Sequence, residues 1–207
     1  MSIAVEYQDE QVLVVVKPHD LLSVPGRGPD KQDCLWHRVL RDFPTARIVH
    51  RLDCATSGLM VLARDADSHR ELSRQFRERE TRKRYQALVA GRPAGDGGVI
   101  DWPLRCDWER RPLQIIDPAE GKSARTEWQL LDSDGEQSRI LLHPVTGRSH
   151  QLRVHMQALG HPILGDAFYA PPEVQALSPR LLLHAERLGF QHPLTGEAMD
   201  FESPPPF

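Results

Sequence analysis

A short apolar run, Leu59-Met60-Val61-Leu62-Ala63, is the feature that most constrains how this chain can fold. Five consecutive apolar residues next to a turn have the length and composition of a buried strand. The turn is predicted at Thr56-Ser57-Gly58, because these residue types favour loops. An ionisable stretch from His50 to Asp53 precedes the turn. Asp53 is therefore predicted on a bend at a sheet edge, where its carboxylate can face a pocket.

Two interpretations of Asp53 follow from these residues alone. Asp and Thr side chains commonly close turns by accepting hydrogen bonds from nearby backbone N–H groups. On that interpretation Asp53 and Thr56 only stabilise the bend. Alternatively, Asp53 is an ionised carboxylate that the bend presents to a ligand.

The length and composition predict a single folded domain, residues 1–207. A chain of 207 residues that is 40% hydrophobic can bury one substantial core. The three cysteines are odd in number and lack a C-x-x-C spacing, which disfavours a disulfide framework or a zinc site. No apolar run reaches the roughly 18 residues of a membrane span, and no signal pattern is present. We expect a cytoplasmic protein without membrane association.

Charge gives conflicting indications about nucleic-acid binding. The net charge of −3 and the pI near 6.4 argue against it, because nucleic-acid-binding domains are usually basic. Basic residues nevertheless cluster. Residues 70–80 include glutamates among the arginines, so an ion-paired, solvated helix face is as plausible there as a phosphate-binding face. Residues 82–84 contain no acidic residue, and phosphate contact is favoured for them. The basic groups are Arg70, Arg74, Arg77, Arg79, Arg82, Lys83 and Arg84; Arg105, Arg110 and Arg111; and Arg148 with Arg153.

Residue composition and turn residues predict the main strands. Residues 11–16 and 83–90 have the composition of strands. Residues 126–131 and 138–143 are predicted to pair as a hairpin around the turn at 132–135.

Helices are predicted over 33–43, over 65–80 and over 152–159. The second of these can be capped by Asp65 or Asp67. Residues 101–112 are predicted as extended segments broken by turns. The Trp and Arg side chains in that stretch could stack on unpaired bases or could simply pack.

Several motifs, in order along the chain, resemble those of the RluA-type pseudouridine synthases. The string His50-Arg51-Leu52-Asp53-Cys54-Ala55-Thr56-Ser57-Gly58 is similar to the family's catalytic motif, His-Arg-Leu-Asp-x-x-Thr-Ser-Gly. Further matches to family motifs are found in the segments Lys17–Arg27, Lys83–Val89, Gly147–Arg153 and Arg180–Ala185.

The resemblance implies a role for each matching residue. Asp53 would be the nucleophile, Tyr85 would stack on the target uracil, and Arg153 would pair with the catalytic aspartate. The Lys17–Arg27 segment is expected to support the catalytic loop. Arg51 would fill the space left by a flipped uridine. The expected substrate-binding residues are Arg51, Leu183 (or Leu182), Lys83, Arg148 and His150.

The resemblance also implies a fold and a reaction. The expected fold is an α+β catalytic domain with a central, mostly antiparallel mixed sheet flanked by helices and loops. The expected substrates are RNA stem-loops of 23S rRNA and tRNA, and no cofactor is required. We expect a monomer. Some relatives carry an N-terminal S4 domain, but the first strand predicted here begins by residue 11, so no S4 domain is expected.

Two alternatives are less consistent with the sequence. A non-catalytic RNA-binding or ribosome-assembly protein would have no use for Asp53 in a cationic pocket, where it repels phosphate. A catalytic metal is not expected, because His150 and His155 would lie about 140° apart around a helix. No H-E-x-x-H metal motif or G-x-S-x-G nucleophile motif occurs.

Overall fold

The computed structural model of the protein describes residues 3–207, which form two compact units. The first unit contains the residues up to Lys83 together with His184–Pro206, and the second contains Arg84–Leu183 and Phe207. The first two residues of the predicted 1–207 domain lie outside the described part. Residues 3–207 form strands β1 (Ala4–Gln8), β2 (Val12–Lys17), β3 (Arg47–Ile48), β4 (Ser57–Ala63), β5 (Arg82–Ala90), β6 (Gly97–Asp101), β7 (Leu104–Cys106), β8 (Gln114–Ile116), β9 (Arg125–Ser133), β10 (Gln137–Pro144), β11 (Leu183–Gln191) and β12 (Ala198–Glu202), and helices α1 (Leu35–Val39), α2 (Ala66–Glu78), α3 (Gln151–Ala158) and α4 (Pro172–Gln175).

A mixed sheet forms the core of the first unit. β2 lies between β1 and β4 and is antiparallel to both, whereas β4 runs parallel to β11. β12 then pairs antiparallel with β11. All seven residues of β4 are buried, which confirms the predicted strand. Helix α2 packs Leu72 and Phe76 against this core.

β4 begins at Ser57, two residues earlier than the apolar run predicted. The prediction of a turn at Ser57 and Gly58 is wrong because these residues pair with His184 and Ala185 of β11. Ser57 and His184 are 127 positions apart, so local turn propensity contains no trace of this pairing.

Gly58 is required where β4 meets β11. Its φ is +119°, and a Cβ placed on it would lie 2.3 Å from the carbonyl oxygen of Ala185. Gly28 is a matched control, because its φ is +96° but a Cβ there would have nothing within 4 Å. Gly28→Ala should cost only the backbone strain, about 1–3 kcal/mol. We expect Gly58→Ala to cost at least about 2 kcal/mol more in urea unfolding, because the clash adds to the strain. Equal losses would contradict a steric requirement at Gly58.

The helices of the first unit follow the prediction with one correction. Asp65 caps α2 by accepting hydrogen bonds from the N–H groups of Asp67 and Ser68, at 2.9 and 2.8 Å. α1 covers only part of the predicted 33–43, because the N–H groups of Arg41 and Asp42 turn to carbonyls three residues back. In residues 3–207, every helix is too short or too polar to span a membrane.

The second unit is built on antiparallel strands. β10 lies between β5 and β9, and β6 pairs with the other edge of β9. The predicted hairpin is therefore confirmed as β9–β10, and the predicted strand 83–90 is confirmed as β5. A separate hairpin pairs β7, which lies in the stretch 101–112 predicted to be extended and broken by turns, with β8, which follows that stretch. It lies beside a small core in which Leu104 packs with Val154 of α3 and with Tyr169.

β1 was not predicted. β1 precedes the predicted strand at 11–16, which is confirmed as β2, and it agrees with the expectation that the first strand begins by residue 11. Four of its five residues are exposed, which explains why it has no hydrophobic pattern. The predicted α+β class with a mostly antiparallel mixed sheet is confirmed.

Candidate active site

Asp53 lies on the loop between β3 and β4 in the first unit and is half-buried. The turn that follows it is closed by the main chain, because the Thr56 N–H donates to the Asp53 carbonyl oxygen at 3.2 Å. This bond fixes the main chain at Asp53. Arg51, on the same loop, is exposed.

Lys17 supports this loop from within the core. Its side chain is 0% exposed, and Nζ donates to the carbonyl oxygens of Pro18, Leu21 and Cys54 at 2.9, 2.6 and 2.9 Å. The bond to Cys54 ties the loop to the end of β2. The positive charge of Lys17 also interacts favourably with the carboxylate of Asp53.

Ser23 fixes the residue before Asp53. Its Oγ donates to the Leu52 carbonyl oxygen at 2.7 Å and accepts from the Leu52 N–H at 3.1 Å. Both residues are buried. The contacts of Lys17 and Ser23 agree with the supporting role expected of the Lys17–Arg27 segment.

The stability of the loop should depend on pH through Lys17. Burial lowers the pKa of Lys17 from 10.5 to about 8. Between these values the unfolded chain binds more protons than the folded one, so this site makes the free energy of unfolding rise with pH. The rise should be about 2–3 kcal/mol and should be absent from Lys17→Met. Urea unfolding of the wild type and of Lys17→Met from about pH 7.5 to 10 measures this rise. If the difference between their free energies of unfolding does not change with pH, the lowered pKa of Lys17 is contradicted.

A buried histidine holds the far end of the loop. His184 Nε2–H donates to the Ser203 carbonyl oxygen at 3.1 Å, so Nδ1 accepts the Ser57 hydroxyl proton at 2.8 Å. Both ring nitrogens are thus engaged. Ser57 and His184 are also only 3% and 2% exposed, which favours a structural contact over a hydrolytic dyad.

His50 is also structural. Its Nε2 accepts a hydrogen bond from the Val61 N–H at 3.1 Å, and its ring stacks on Phe76 at 4.3 Å. Burial, with a contribution from the charge of Lys83, lowers the pKa of His50 to about 3. His50 is therefore neutral at physiological pH.

The basic residues of 70–84 have different partners. Arg74 contacts Glu71, Glu78 and Glu80 at 2.7, 2.5 and 2.7 Å. Residues 70–80 therefore carry the ion-paired helix face that was one of the two predicted alternatives. Arg82 has an acidic neighbour that the local sequence does not show, Asp200 of β12, at 3.6 Å.

Lys83 differs from these arginines. It is half-buried, and its pKa is lowered first by burial and then by the charge of Arg79. A cation in such surroundings is stabilised by an anionic ligand. Lys83 thus remains a candidate for phosphate contact.

In the second unit, Arg153 has a buried acidic partner that the sequence did not reveal. Arg153 is 3% exposed and donates to both carboxylate oxygens of Asp166 at 2.8 and 2.6 Å. Asp166 also accepts the N–H groups of Phe168 and Tyr169 at 2.9 and 3.2 Å. The guanidinium of Arg153 lies 5.0 and 5.1 Å from these two ring centroids. Pairing of Arg153 with Asp53 stays a prediction.

His150 and Arg153 converge on the same aromatic residues. His150 lies just before α3 with φ +53°, so it does not belong to the helix that was predicted to hold it with His155. Its Nδ1 is 2.6 Å from the hydroxyl oxygen of Tyr169. His150 also packs against Phe168, with 5.6 Å between ring centroids.

The segment before α3 is ordered by Gln151. Its Oε1 accepts hydrogen bonds from the Thr146 hydroxyl at 2.7 Å and from the Arg148 N–H at 3.0 Å. Arg148 is exposed, and its Nε donates to the Ser123 carbonyl oxygen at 3.0 Å. The Arg148 side chain is therefore held at the surface of this unit.

His155 is buried inside the second unit. Its Nε2–H donates to the Trp102 carbonyl oxygen at 3.0 Å, which leaves Nδ1 to accept the Thr126 hydroxyl at 2.9 Å. Within residues 3–207, no three His, Cys, Asp or Glu side chains are grouped in a way that could hold a metal ion.

The remaining predicted residues also lie in the second unit. Tyr85 is half-buried on β5, opposite Leu142 of β10. Leu183 is 2% exposed, whereas Leu182 is half-buried and its main chain bonds to Leu164 and Leu88. Burial thus favours Leu183 over Leu182 as an apolar packing residue.

Comparison with known proteins identifies the family. A family model described as RNA pseudouridylate synthase matches residues 11–158, a stretch that includes Asp53, Tyr85 and Arg153. The chain belongs to this family. Dual-specificity RNA pseudouridine synthase RluA of Yersinia pestis is 56% identical over 197 residues, which cover 95% of this chain and 96% of that protein. The protein of the same name from Escherichia coli O6:H1 is 52% identical over 206 residues, covering 99% and 94%.

Solved structures agree with this assignment. Human RNA pseudouridylate synthase domain containing 1 has a TM-score of 0.83 and 31% identity, covering 100% of this chain and 84% of that chain. Membership of the pseudouridine synthase family confirms the predicted enzyme class and fold. It favours an isomerase that converts uridine to pseudouridine over a non-catalytic RNA-binding protein.

Proposed function

We propose that this pseudouridine synthase modifies uridines in RNA stem-loops, with a loop of 23S rRNA and the tRNA anticodon loop as its substrates. The proposal depends above all on identity of 52–56% along nearly the whole chain to proteins named dual-specificity RNA pseudouridine synthase. The protein acts as a monomer in the cytoplasm. Its three cysteines are free thiols, as is usual in a reducing compartment.

The reaction sets clear chemical requirements. The bond between ribose C1′ and uracil N1 breaks, C1′ joins C5, the C5 hydrogen leaves as a proton, and N1 gains one. Asp53 is the nucleophile, and its carboxylate must be ionised to act. Lys17 Nζ binds the carbonyl oxygen of Cys54, the residue after Asp53, and so holds the loop that presents the carboxylate.

The other residues bind and orient the base. Tyr85 stacks on the uracil while it turns, and Leu183 lines the uracil pocket. Arg153 is the arginine that ends the Gly147–Arg153 motif, and it is held in place by Asp166. The substrate RNA is bound by Arg51, Lys83, Arg148 and His150.

A site-mapping assay tests this function. The purified protein is incubated with transcripts of an anticodon stem-loop and of a 23S rRNA stem-loop, and carbodiimide adducts are then located by reverse transcription. We expect one strong, alkali-stable stop in the loop of each transcript. Stops in neither would refute the proposed substrates, and a stop in only one would refute the dual specificity.

Arg51 is exposed on the catalytic loop, where it can fill the space left by a flipped uridine. Flipping costs a few kcal/mol and is easiest in unpaired RNA. Arg51→Ala should therefore lose at least about tenfold more kcat/KM on a structured hairpin than on an unstructured oligonucleotide of the same sequence. Equal losses on the two substrates would show that Arg51 is only a charge contact. Arg41→Ala, which removes another exposed arginine of the first unit, is the control.

A further inference from the structure

The tip of the β7–β8 hairpin, residues 107–113, has no part in the reaction described above. It carries Trp108, whose side chain is 65% exposed. Burial of an indole is normally favourable, so an indole held in solvent needs an explanation. The sequence allowed the tryptophans of this stretch to be either packing or stacking residues. For Trp108, this exposure rules out the packing interpretation.

Arg111 stacks on this indole. Its guanidinium carbon lies 3.7 Å from the centre of the Trp108 ring. The neighbouring arginines are instead paired with acids, Arg105 with Asp117 and Arg110 with Asp107. Arg111 thus contacts an aromatic ring where its neighbours contact carboxylates, and its charge is available to an anionic ligand.

The tip is well ordered by its own hydrogen bonds. The Asp107 N–H donates to the Leu113 carbonyl oxygen at 2.9 Å, and the Leu113 N–H donates to the Arg110 carbonyl oxygen at 3.0 Å. At the base, the Gln114 N–H donates to the Tyr169 hydroxyl oxygen at 2.9 Å. Trp108 is therefore presented on a preorganised hairpin tied to the residue that also contacts Arg153.

We propose that Trp108 and Arg111 form a stacking platform for an unpaired base of the RNA substrate, separate from the uridine that reacts. The proposal rests on the proposed function, because it takes RNA as the ligand. An indole with an adjacent planar cation suits a base joined to phosphates, since the ring stacks on the base and the charge attracts the backbone. An apolar protein surface fits less well, because docking would have to desolvate the charge of Arg111.

Binding measurements on the full-length protein test the platform. Two labelled RNAs are titrated, an anticodon stem-loop and a fully paired duplex of equal length. Trp108→Ala and Arg111→Ala should bind the stem-loop about 5- to 100-fold more weakly, the usual range for loss of one stacked base. Duplex affinity should change less than twofold for Trp108→Ala, because paired bases expose no face to the indole.

Conservative variants and a control separate stacking from charge and folding. Trp108→Phe should retain most of the stem-loop affinity, whereas Arg111→Lys should lose much of it, because lysine keeps the charge but not the planar group. Arg92→Ala is the control. Arg92 is an exposed arginine of the same unit, paired with Asp96 at 3.1 Å, and its loss should change stem-loop affinity less than twofold.

The outcomes distinguish this proposal from the proposed function. Pseudouridine is quantified in the same samples, and its absence with wild-type protein refutes the function even if stem-loop binding still depends on Trp108. Wild-type stem-loop affinity in Trp108→Ala, or an equal loss on stem-loop and duplex, overturns the platform. If circular dichroism shows that Trp108→Ala is misfolded, the comparison of Trp108→Phe with Arg111→Lys decides, and equal affinities of these two variants would overturn it.

Discussion

Asp53→Asn should bind RNA normally and form no pseudouridine. Asparagine keeps the shape and turn propensity of aspartate but cannot serve as an ionised nucleophile. Lys17 and Ser23 hold the loop through the main-chain carbonyl groups of Cys54 and Leu52, and these contacts are kept in the variant. We expect turnover to fall by at least about 10³-fold. RNA affinity should stay constant or rise slightly, because a charge that repels phosphate is removed.

This experiment needs two controls. Asp42→Asn makes the same chemical change at an exposed position of the first unit and should leave turnover unchanged. Mass spectrometry must exclude deamidation of the new asparagine back to aspartate. A folded Asp53→Asn protein with turnover near that of the wild type would refute the nucleophile assignment.

The pair of Arg153 and Asp166 gives the second large effect. Asp166→Ala leaves the buried guanidinium without its bidentate partner, and removal of one member of a buried ion pair costs about 3–5 kcal/mol. The variant also loses the hydrogen bonds that Asp166 accepts from the N–H groups of Phe168 and Tyr169. Urea unfolding should show this loss. The exposed pair of Arg92 and Asp96 is the matched control, and Asp96→Ala should cost less than about 1 kcal/mol.

A double variant separates the structural from the catalytic role of Arg153. Arg153→Met combined with Asp166→Leu replaces the charged pair by apolar side chains, which usually restores much of the lost stability. We expect this protein to be more stable than Asp166→Ala but to lack pseudouridine synthase activity. A stable double variant with wild-type turnover would show that Arg153 only supports the fold.

The sequence predicted the elements that carry a local signal. The apolar run of β4 and the turn residues between β9 and β10 place these strands correctly, and Asp65 identifies the start of α2. The loop that holds Asp53 was recognised because its motif is contiguous. Lys17 was assigned to loop support through its motif, although its three carbonyl partners could not be specified.

The remaining features depend on contacts between residues far apart in the chain. Ser57 and Gly58 belong to a strand only because β11 supplies the partner. The ion pair of Arg82 also depends on a distant residue, because its acidic neighbour Asp200 comes from β12. Asp166 has no local feature that marks it as the partner of Arg153. Such pairings are set by tertiary structure and leave no periodicity or spacing in the sequence.

Release of tritium from an anticodon stem-loop that contains [5-³H]uridine tests the central claim most directly, because joining C1′ to C5 expels the C5 hydrogen. The wild-type protein should release tritium to a limit of one per RNA, from the mapped loop uridine. An RNA with cytidine at that position should release none, and Asp53→Asn should release none from the normal substrate. Absence of release by the folded wild-type protein from both the anticodon and the 23S rRNA stem-loops, or release by Asp53→Asn at the wild-type rate, would contradict the account.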